Sequence, residues 1–189
     1  MNKDKLVNIH EAAKGLISGK TILYPTDTIW GIGCDATNET AIKAIEEMKN
    51  RPENKSFILL VESIAMLERY VKHIPDIAYD LMDVSEKPLT IIFDSPIHLP
   101  DSIRAKDGSI GIRVTQDSNC RRLIQQLKKP LISTSANLSG EAIPKNFNEI
   151  HETIKSKVDL ILDDRLNEVM NKPSSILKLS NDGKVKVIR

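Results

Sequence analysis

Pro130-Leu131-Ile132-Ser133-Thr134-Ser135-Ala136-Asn137-Leu138-Ser139-Gly140 begins as an apolar run and ends in hydroxyls and an amide. The apolar half predicts a buried strand over 130–135. Polar groups at the end of such a strand cost free energy unless they find partners. Side chains alternate along an extended segment, so Ser133, Ser135 and Asn137 share a face if the strand persists. Two readings stand here. The stretch is either a Ser/Asn-rich turn that caps the strand, or a strand end that presents two hydroxyls and a carboxamide to a ligand. The choice turns on whether other stretches converge on the same point.

The flanking segments alternate between helical and extended patterns. Asp117 predicts the cap of a helix reaching about Leu127, and residues 109–114 and 88–93 read as strands. Asn8 with Glu11 three residues later predicts a capped helix over 8–19, closed by Gly19. Residues 21–24 form a strand that ends at Pro25, and Thr26-Asp27-Thr28 leads into a second short strand. A helix over 38–49 ends near Lys49, because Arg51 precedes Pro52 and is pushed out of the α region. Residues 56–61 form a buried strand, and Ser63 caps a helix through about Val71. A further short helix spans about 75–84, and 95–108 form an irregular loop. Asn146 with Glu149 caps another helix, and 158–162, 175–177 and 184–188 close the chain as strands. Interleaved helices and strands imply α/β layers. The helix-free connection between the first two strands implies a mixed sheet.

Bulk composition narrows the classes. A chain of 189 residues, 40 % hydrophobic and 28 % charged, suits one soluble domain, and we expect a single domain over 1–189. The net charge of +1 means that any basic site arises from local clustering. Cys34 and Cys120 stand in unrelated settings, which excludes a disulfide framework and a zinc pattern. With neither a membrane-length apolar run nor a signal-like apolar core, a cytoplasmic location is expected, away from membranes.

Several local patterns bear on chemistry. Gly15-Leu16-Ile17-Ser18-Gly19-Lys20-Thr21 superficially suggests a phosphate loop. It is one residue short between the glycines, and it runs from helix to strand rather than strand to helix. Thr26 and Thr28 either form a turn between strands or contact a ligand. Lys49 and Arg51 point the same way if the chain is extended before Pro52, and Lys55 adds a third charge. Such a cluster suits a carboxylate or phosphate, though it also suits a solvated basic turn at a helix C-terminus. Arg113 lies within an apolar strand, where a charge needs a partner or a ligand. Pro173-Ser174-Ser175-Ile176 repeats the pattern of hydroxyls before an apolar run, and Arg189 closes the chain. His10, His73, His98 and His151 show no metal-ligand spacing, and each reads as a surface or capping residue.

Taken together, these stretches resemble one family. Tyr24-Pro25-Thr26-Asp27-Thr28-Ile29-Trp30-Gly31, Lys49-x-Arg51-Pro52, Pro88-Leu89-Thr90, Gly111-Ile112-Arg113-Val114, Ser133-x-Ser135-x-Asn137 with Ser139-Gly140, Pro173-Ser174-Ser175-Ile176 and Val187-Ile188-Arg189 are similar, in order, to the motifs of the YrdC/Sua5 family. The resemblance covers roughly 10–189 and fits the short form, without the extra C-terminal domain of the longer Sua5 type. Trp30 stands where the family places Tyr, Leu60 where longer members place a His, and Ser175 where Thr is usual. Ser85-Glu86-Lys87-Pro88 replaces Trp-Pro-Gly-Pro, and Lys55 and Lys145 replace Asn or small polar residues.

The resemblance implies a YrdC/RibB-like open twisted mixed β-sheet with helices packed around it and a concave ligand site. It implies an L-threonylcarbamoyladenylate synthase, which joins L-threonine, bicarbonate and ATP into threonylcarbamoyl-AMP and pyrophosphate. Magnesium would accompany ATP, held by phosphates and water. The expected catalytic set is Lys49, Arg51, Ser135 and Asn137. Thr28, Arg51, Arg113, Ser135 and Ser174 are expected to bind threonine. Lys49, Arg51, Lys55, Ser133, Asn137, Lys145 and Arg189 are expected at the nucleotide, with no residue assigned to a metal. Downstream partners would be tRNA, or double-stranded RNA, and the threonylcarbamoyl transferase machinery. The alternative is a non-catalytic, translation-associated RNA-binding module. A third reading, a role like that of the related domain in hydrogenase maturation factors, ranks last.

Overall fold

The computed structural model describes residues 3–50 and 57–189. Local signals account for most element starts. Asn8 accepts from the backbone of His10 and Glu11 while the Glu11 carboxylate accepts from Asn8, so the capping box opens α1 (Ile9–Ile17). Asn38 caps α2 (Glu39–Lys49), which stops because Asn50 takes a left-handed conformation with φ 47°. Ser63 opens α3 (Ile64–Leu67), Pro75 precedes α4 (Asp76–Asp83), and Asp117 caps α5 (Ser118–Leu127).

Two helix expectations need correcting. The helix expected from 63 to 71 ends at Leu67. Beyond it the backbone pairs instead with the distant loop at 95–97, Ile97 N donating to Tyr70 O and Lys72 N to Ser95 O, both at 2.9 Å. These partners satisfy groups that a longer helix would have used. The Asn146/Glu149 cap does form, but it opens only a single 3-10 turn over Phe147–Glu149. Ile150 then turns extended and buries its side chain, and α6 (Glu152–Lys157) starts afresh on His151, whose ring accepts from Thr153 N.

Among the described residues ten strands form one sheet: β1 (Leu6–Val7), β2 (Ile22–Pro25), β3 (Trp30–Gly33), β4 (Ile58–Val61), β5 (Leu89–Phe93), β6 (Ile110–Val114), β7 (Leu131–Ser135), β8 (Leu160–Leu162), β9 (Ser175–Leu179) and β10 (Val185–Val187). Their spatial order is β1-β8-β2-β3-β7-β4-β6-β5-β9-β10. The β2/β3 hairpin is antiparallel while β2/β8, β4/β6 and β5/β9 are parallel, so the sheet is mixed and open, as the connections implied. β1, too short to show a pattern, was not read from the sequence; it adds at the edge by pairing Leu6 with Ile161.

The strand β7 runs antiparallel between β3 and β4. Its residues Leu131 and Ile132 are fully buried, and α1 packs against both α5 and β8. The approach of β3 to β7 depends on Gly33. A Cβ there would lie 2.2 Å from the carbonyl oxygen of Ile132, a clash with main chain that no rotamer relieves. The sheet centre therefore fixes where the polar end of β7 emerges.

Candidate active site

The last residues of β7 are held from the side by α2. Lys49, at the end of that helix, is only 2 % exposed. Its ammonium donates to the main-chain oxygen of Ser135 and, at 2.6 Å, to that of Asn137. Ser139 N returns a bond to the Lys49 carbonyl at 3.2 Å. The Ser135 hydroxyl donates to Asn137 Oδ1, and Asn137 Nδ2 donates to Glu141 O at 2.8 Å. The strand ends at Ser135, so Asn137 lies past the extended segment. The chain nevertheless places Ser133, Ser135 and Asn137 along one pocket of about 230 Å3, together with Lys49, Gly140 and Arg189. The stretch is an internally bonded turn, as the first reading has it, and it also lines a concavity.

A second structure approaches from β2. After Pro25, the Thr26 hydroxyl accepts from Thr28 N at 3.0 Å and donates to Ile29 O at 2.8 Å, a compact Thr turn. Thr26 Oγ1 lies 3.0 Å from Thr28 Oγ1. Arg113 of β6, 4 % exposed, donates from Nη1 to Thr28 Oγ1 at 3.1 Å. Its Nη2 lies 3.3 Å from Asp27 Oδ1. The other Asp27 oxygen accepts from Thr115 Oγ1 at 3.2 Å. The Arg113 Nε is buried without a hydrogen-bond partner among the described residues. The lone strand arginine thus has both a partner, Asp27, and a position on a cavity.

That cavity, of about 50 Å3, is lined by Thr28, Arg113, Ser133, Ser135, Ser174 and Arg189 among others. Gly31 forms part of its wall; a Cβ there would come 3.2 Å from Ser133 Oγ and narrow it. Ser174 is fixed by a 2.9 Å contact between its hydroxyl and that of Thr90. Arg189 Nε donates to Ser174 O at 3.2 Å, and Arg189 pairs with Ile176 through main chain. The small cavity and the larger pocket share Ser133, Thr134, Ser135 and Arg189 together with the apolar residues Ile29, Ile58 and Pro173.

The structure therefore brings together Thr28, Lys49, Arg113, Ser133, Ser135, Asn137, Ser174 and Arg189. Lys145 is not among the residues lining either cavity; it is exposed, its N–H donating to Glu149 Oε2 at 2.8 Å. Arg51 and Lys55 lie outside the described residues. Leu60 is fully buried, beside Arg113 in the β4/β6 register. Apolar wall residues Ile29, Ile58, Ile143 and Pro173 escaped the sequence reading, because isolated apolar side chains carry no pattern. The Asp27–Arg113 pair also escaped it, since the two residues lie far apart in the chain.

Nearby titratable groups act as neutral donors. Burial pushes the Tyr24 phenol well up, and its hydroxyl donates to Ile132 O at 3.1 Å. Burial likewise raises the Cys120 thiol, which donates to Pro25 O at 3.4 Å behind the Thr26 turn. Both groups brace backbone rather than face the cavities.

A protein family described as telomere recombination, Sua5/YciO/YrdC, matches residues 14–189. The chain is 32 % identical over 173 residues to the threonylcarbamoyl-AMP synthase of Pseudoalteromonas translucida, covering 90 % of this chain and 91 % of that protein. It is 36 % identical over 140 residues to the enzyme of the same name from Hydrogenovibrio crunogenus, covering 72 % and 75 % respectively. Among solved structures, P. abyssi Sua5 complexed with L-threonine superposes with a TM-score of 0.85 at 26 % identity, over 96 % of this chain. The chain spans about half of that longer protein, 53 % of its length.

Proposed function

We propose, because the chain belongs to the Sua5/YciO/YrdC family, that it is a threonylcarbamoyl-AMP synthase acting on L-threonine, bicarbonate and ATP. The observation that carries this reading is the pair of adjoining cavities with a common wall at Ser133–Ser135 and Arg189. The smaller, whose lining carries the Arg113 cation and the hydroxyls of Thr28 and Ser174, would take the amino acid, and the larger the nucleotide. Cavities that share so much of their lining lie side by side, so substrates held in the two would meet, which is what an adenylyl transfer requires.

In this scheme the threonine amine takes up bicarbonate with loss of water, giving a carbamate. A carbamate oxygen attacks the α-phosphorus of ATP, the bond to the β-phosphate breaks, and pyrophosphate leaves. The nucleophile belongs to the substrate, so the protein's part is to position and to stabilise charge. Arg113 and Thr28 would orient threonine, with Ser135 and Ser174 as further donors. Lys49 would hold the Ser135–Asn137 main chain in place for the nucleotide, and Arg189 would meet negative charge between the sites. Magnesium would enter bound to the phosphates of ATP. The product would pass, in the cytoplasm, to a transferase that modifies tRNA. Among the described residues no helix is long and apolar enough to cross a membrane.

The test is incubation with L-threonine, bicarbonate, ATP and magnesium. Threonine-dependent pyrophosphate release, with threonylcarbamoyl-AMP by mass spectrometry, is the expected result. Pyrophosphate release that ignores threonine would overturn the reading.

A further inference from the structure

Arg165 adopts a left-handed backbone conformation, φ 47°, which side chains other than Gly, Asn and Asp rarely take. Such a residue persists only where its surroundings hold it, and its contacts show what does so. Nε donates to Asp164 Oδ2 at 3.0 Å and Nη1 donates to the carbonyl of Thr26 at 3.3 Å, while Nη2, which makes no hydrogen bond among the described residues, forms an ion pair with Asp117 Oδ2 at 2.7 Å. One planar fork therefore ties three chain segments: the exit of β8, the cap of α5 and the turn after β2. Asp164 is itself held by Asn119 Nδ2 at 2.9 Å.

Two of those ties lead to the same guanidinium. From Thr26, the Thr turn carries Thr28, whose hydroxyl accepts from Arg113 at 3.1 Å. From Asp117, the backbone N–H donates to Thr115 Oγ1 at 3.2 Å, Thr115 donates to Asp27 at 3.2 Å, and Asp27 lies 3.3 Å from Arg113. Arg165 lines neither the small cavity nor the larger pocket, so it acts at one remove.

We infer that Arg165 is a positioning residue for the small cavity, setting Thr28 and Arg113 for the amino acid. The inference rests on the synthase reading. A lysine cannot replace it, because one ammonium cannot reach two divergent acceptors and the Asp117 carboxylate at once, as the planar guanidinium does.

The test compares the full chain with Arg165→Gly, Arg165→Lys and Arg165→Met, measuring KM for threonine and for ATP separately, with Tm alongside. Glycine suits the backbone conformation, so Arg165→Gly removes the side chain without adding strain. The expected result is a threonine KM raised about tenfold or more in the Gly and Met variants, with ATP KM within about twofold. Arg165→Lys is expected to fall between them and wild type. A threonine KM that stays at the wild-type value, or moves together with ATP KM and Tm, would overturn the inference and leave Arg165 merely structural. Wild type lacking threonine-dependent turnover would instead sink the synthase reading, and the inference with it.

Discussion

Lys49 gives its ammonium to two main-chain carbonyls, whereas Arg113 sets its guanidinium between the carboxylate of Asp27 and the hydroxyl of Thr28. Both cations are buried at one site, and each supports one side of it. The Lys49 side is a backbone device: the cation shapes the main chain of Ser135–Asn137, and the side chains there bond to each other. The Arg113 side is a side-chain device, in which charge, acid and hydroxyls form a network braced from behind by Arg165. The difference shows that a buried charge can be spent on holding a chain path or on aiming functional groups. The two uses fail differently when the charge is removed.

The largest expected effect is on the Arg113 side. Arg113→Met leaves Asp27 as a buried carboxylate without its cation, and should lower unfolding free energy by about 4 kcal/mol. Adding Asp27→Asn should recover about 1–3 kcal/mol of that loss, whereas Asp27→Asn combined with Lys49→Met should be additive. Urea denaturation of the three single and two double variants checks both statements, and a coupling of Asp27 to Lys49 would break the division into two devices. Next comes Lys49→Met, which deprives two carbonyls of their donor and should cost about 3 kcal/mol. Its turnover should fall about a thousandfold, read as threonine-dependent pyrophosphate release. Near-normal turnover would mean that the path of Ser135–Asn137 does not depend on the ammonium.

Thr28→Val keeps the shape of the turn but removes the acceptor for Arg113. A loss of about 1.5 kcal/mol is expected, with threonine KM raised and ATP KM little changed. An equal rise in both would blur the assignment of Arg113 to the small cavity. The smallest effect belongs to a surface pair, half-buried Lys178 with exposed Asp107, that serves as a control. Lys178 Nζ lies 2.6 Å from Asp107 Oδ2, and its hydrogen bond, followed by those from Ser109, holds the Asp107 carboxyl well below the usual range. A carboxyl depressed in the folded state stabilises above its ordinary pKa of about 4, and that contribution shrinks as pH falls below it. Because Asp107 is largely exposed, Asp107→Asn should cost less than about 1 kcal/mol at pH 7, with the gap narrowing at pH 3. Denaturation midpoints at the two pH values test the sign.

The fold was legible where local chemistry decides structure. Asn8, Ser63 and Asp117 announce their helices because a side-chain oxygen at a cap satisfies backbone donors next to it. The same rule misled at Asn146, where the cap is real but burial of Ile150 ends the turn at once. At the site, Ser133, Ser135 and Asn137 announced themselves as polar groups following an apolar strand. Lys145 did not join the cavities, since a motif position says nothing of how far a flexible side chain stands from the wall. Arg165 gave little signal, for its backbone conformation cannot be read from the chain, and of its three partners only Asp164 adjoins it, Thr26 and Asp117 lying far away in the sequence.

The amino-acid sequence by itself determined the order of helices and strands, the mixed sheet and the family motifs, because these depend on patterns within a few residues. Only the tertiary structure decided what each cation does. Lys49 and Ser135 are 86 residues apart, and Thr28 and Arg113 are 85 apart. Sheet order brings each pair within hydrogen-bond reach, and at that distance burial dictates the pairing. A buried charge must be answered by whatever the fold places beside it, a carbonyl in one case and a carboxylate in the other.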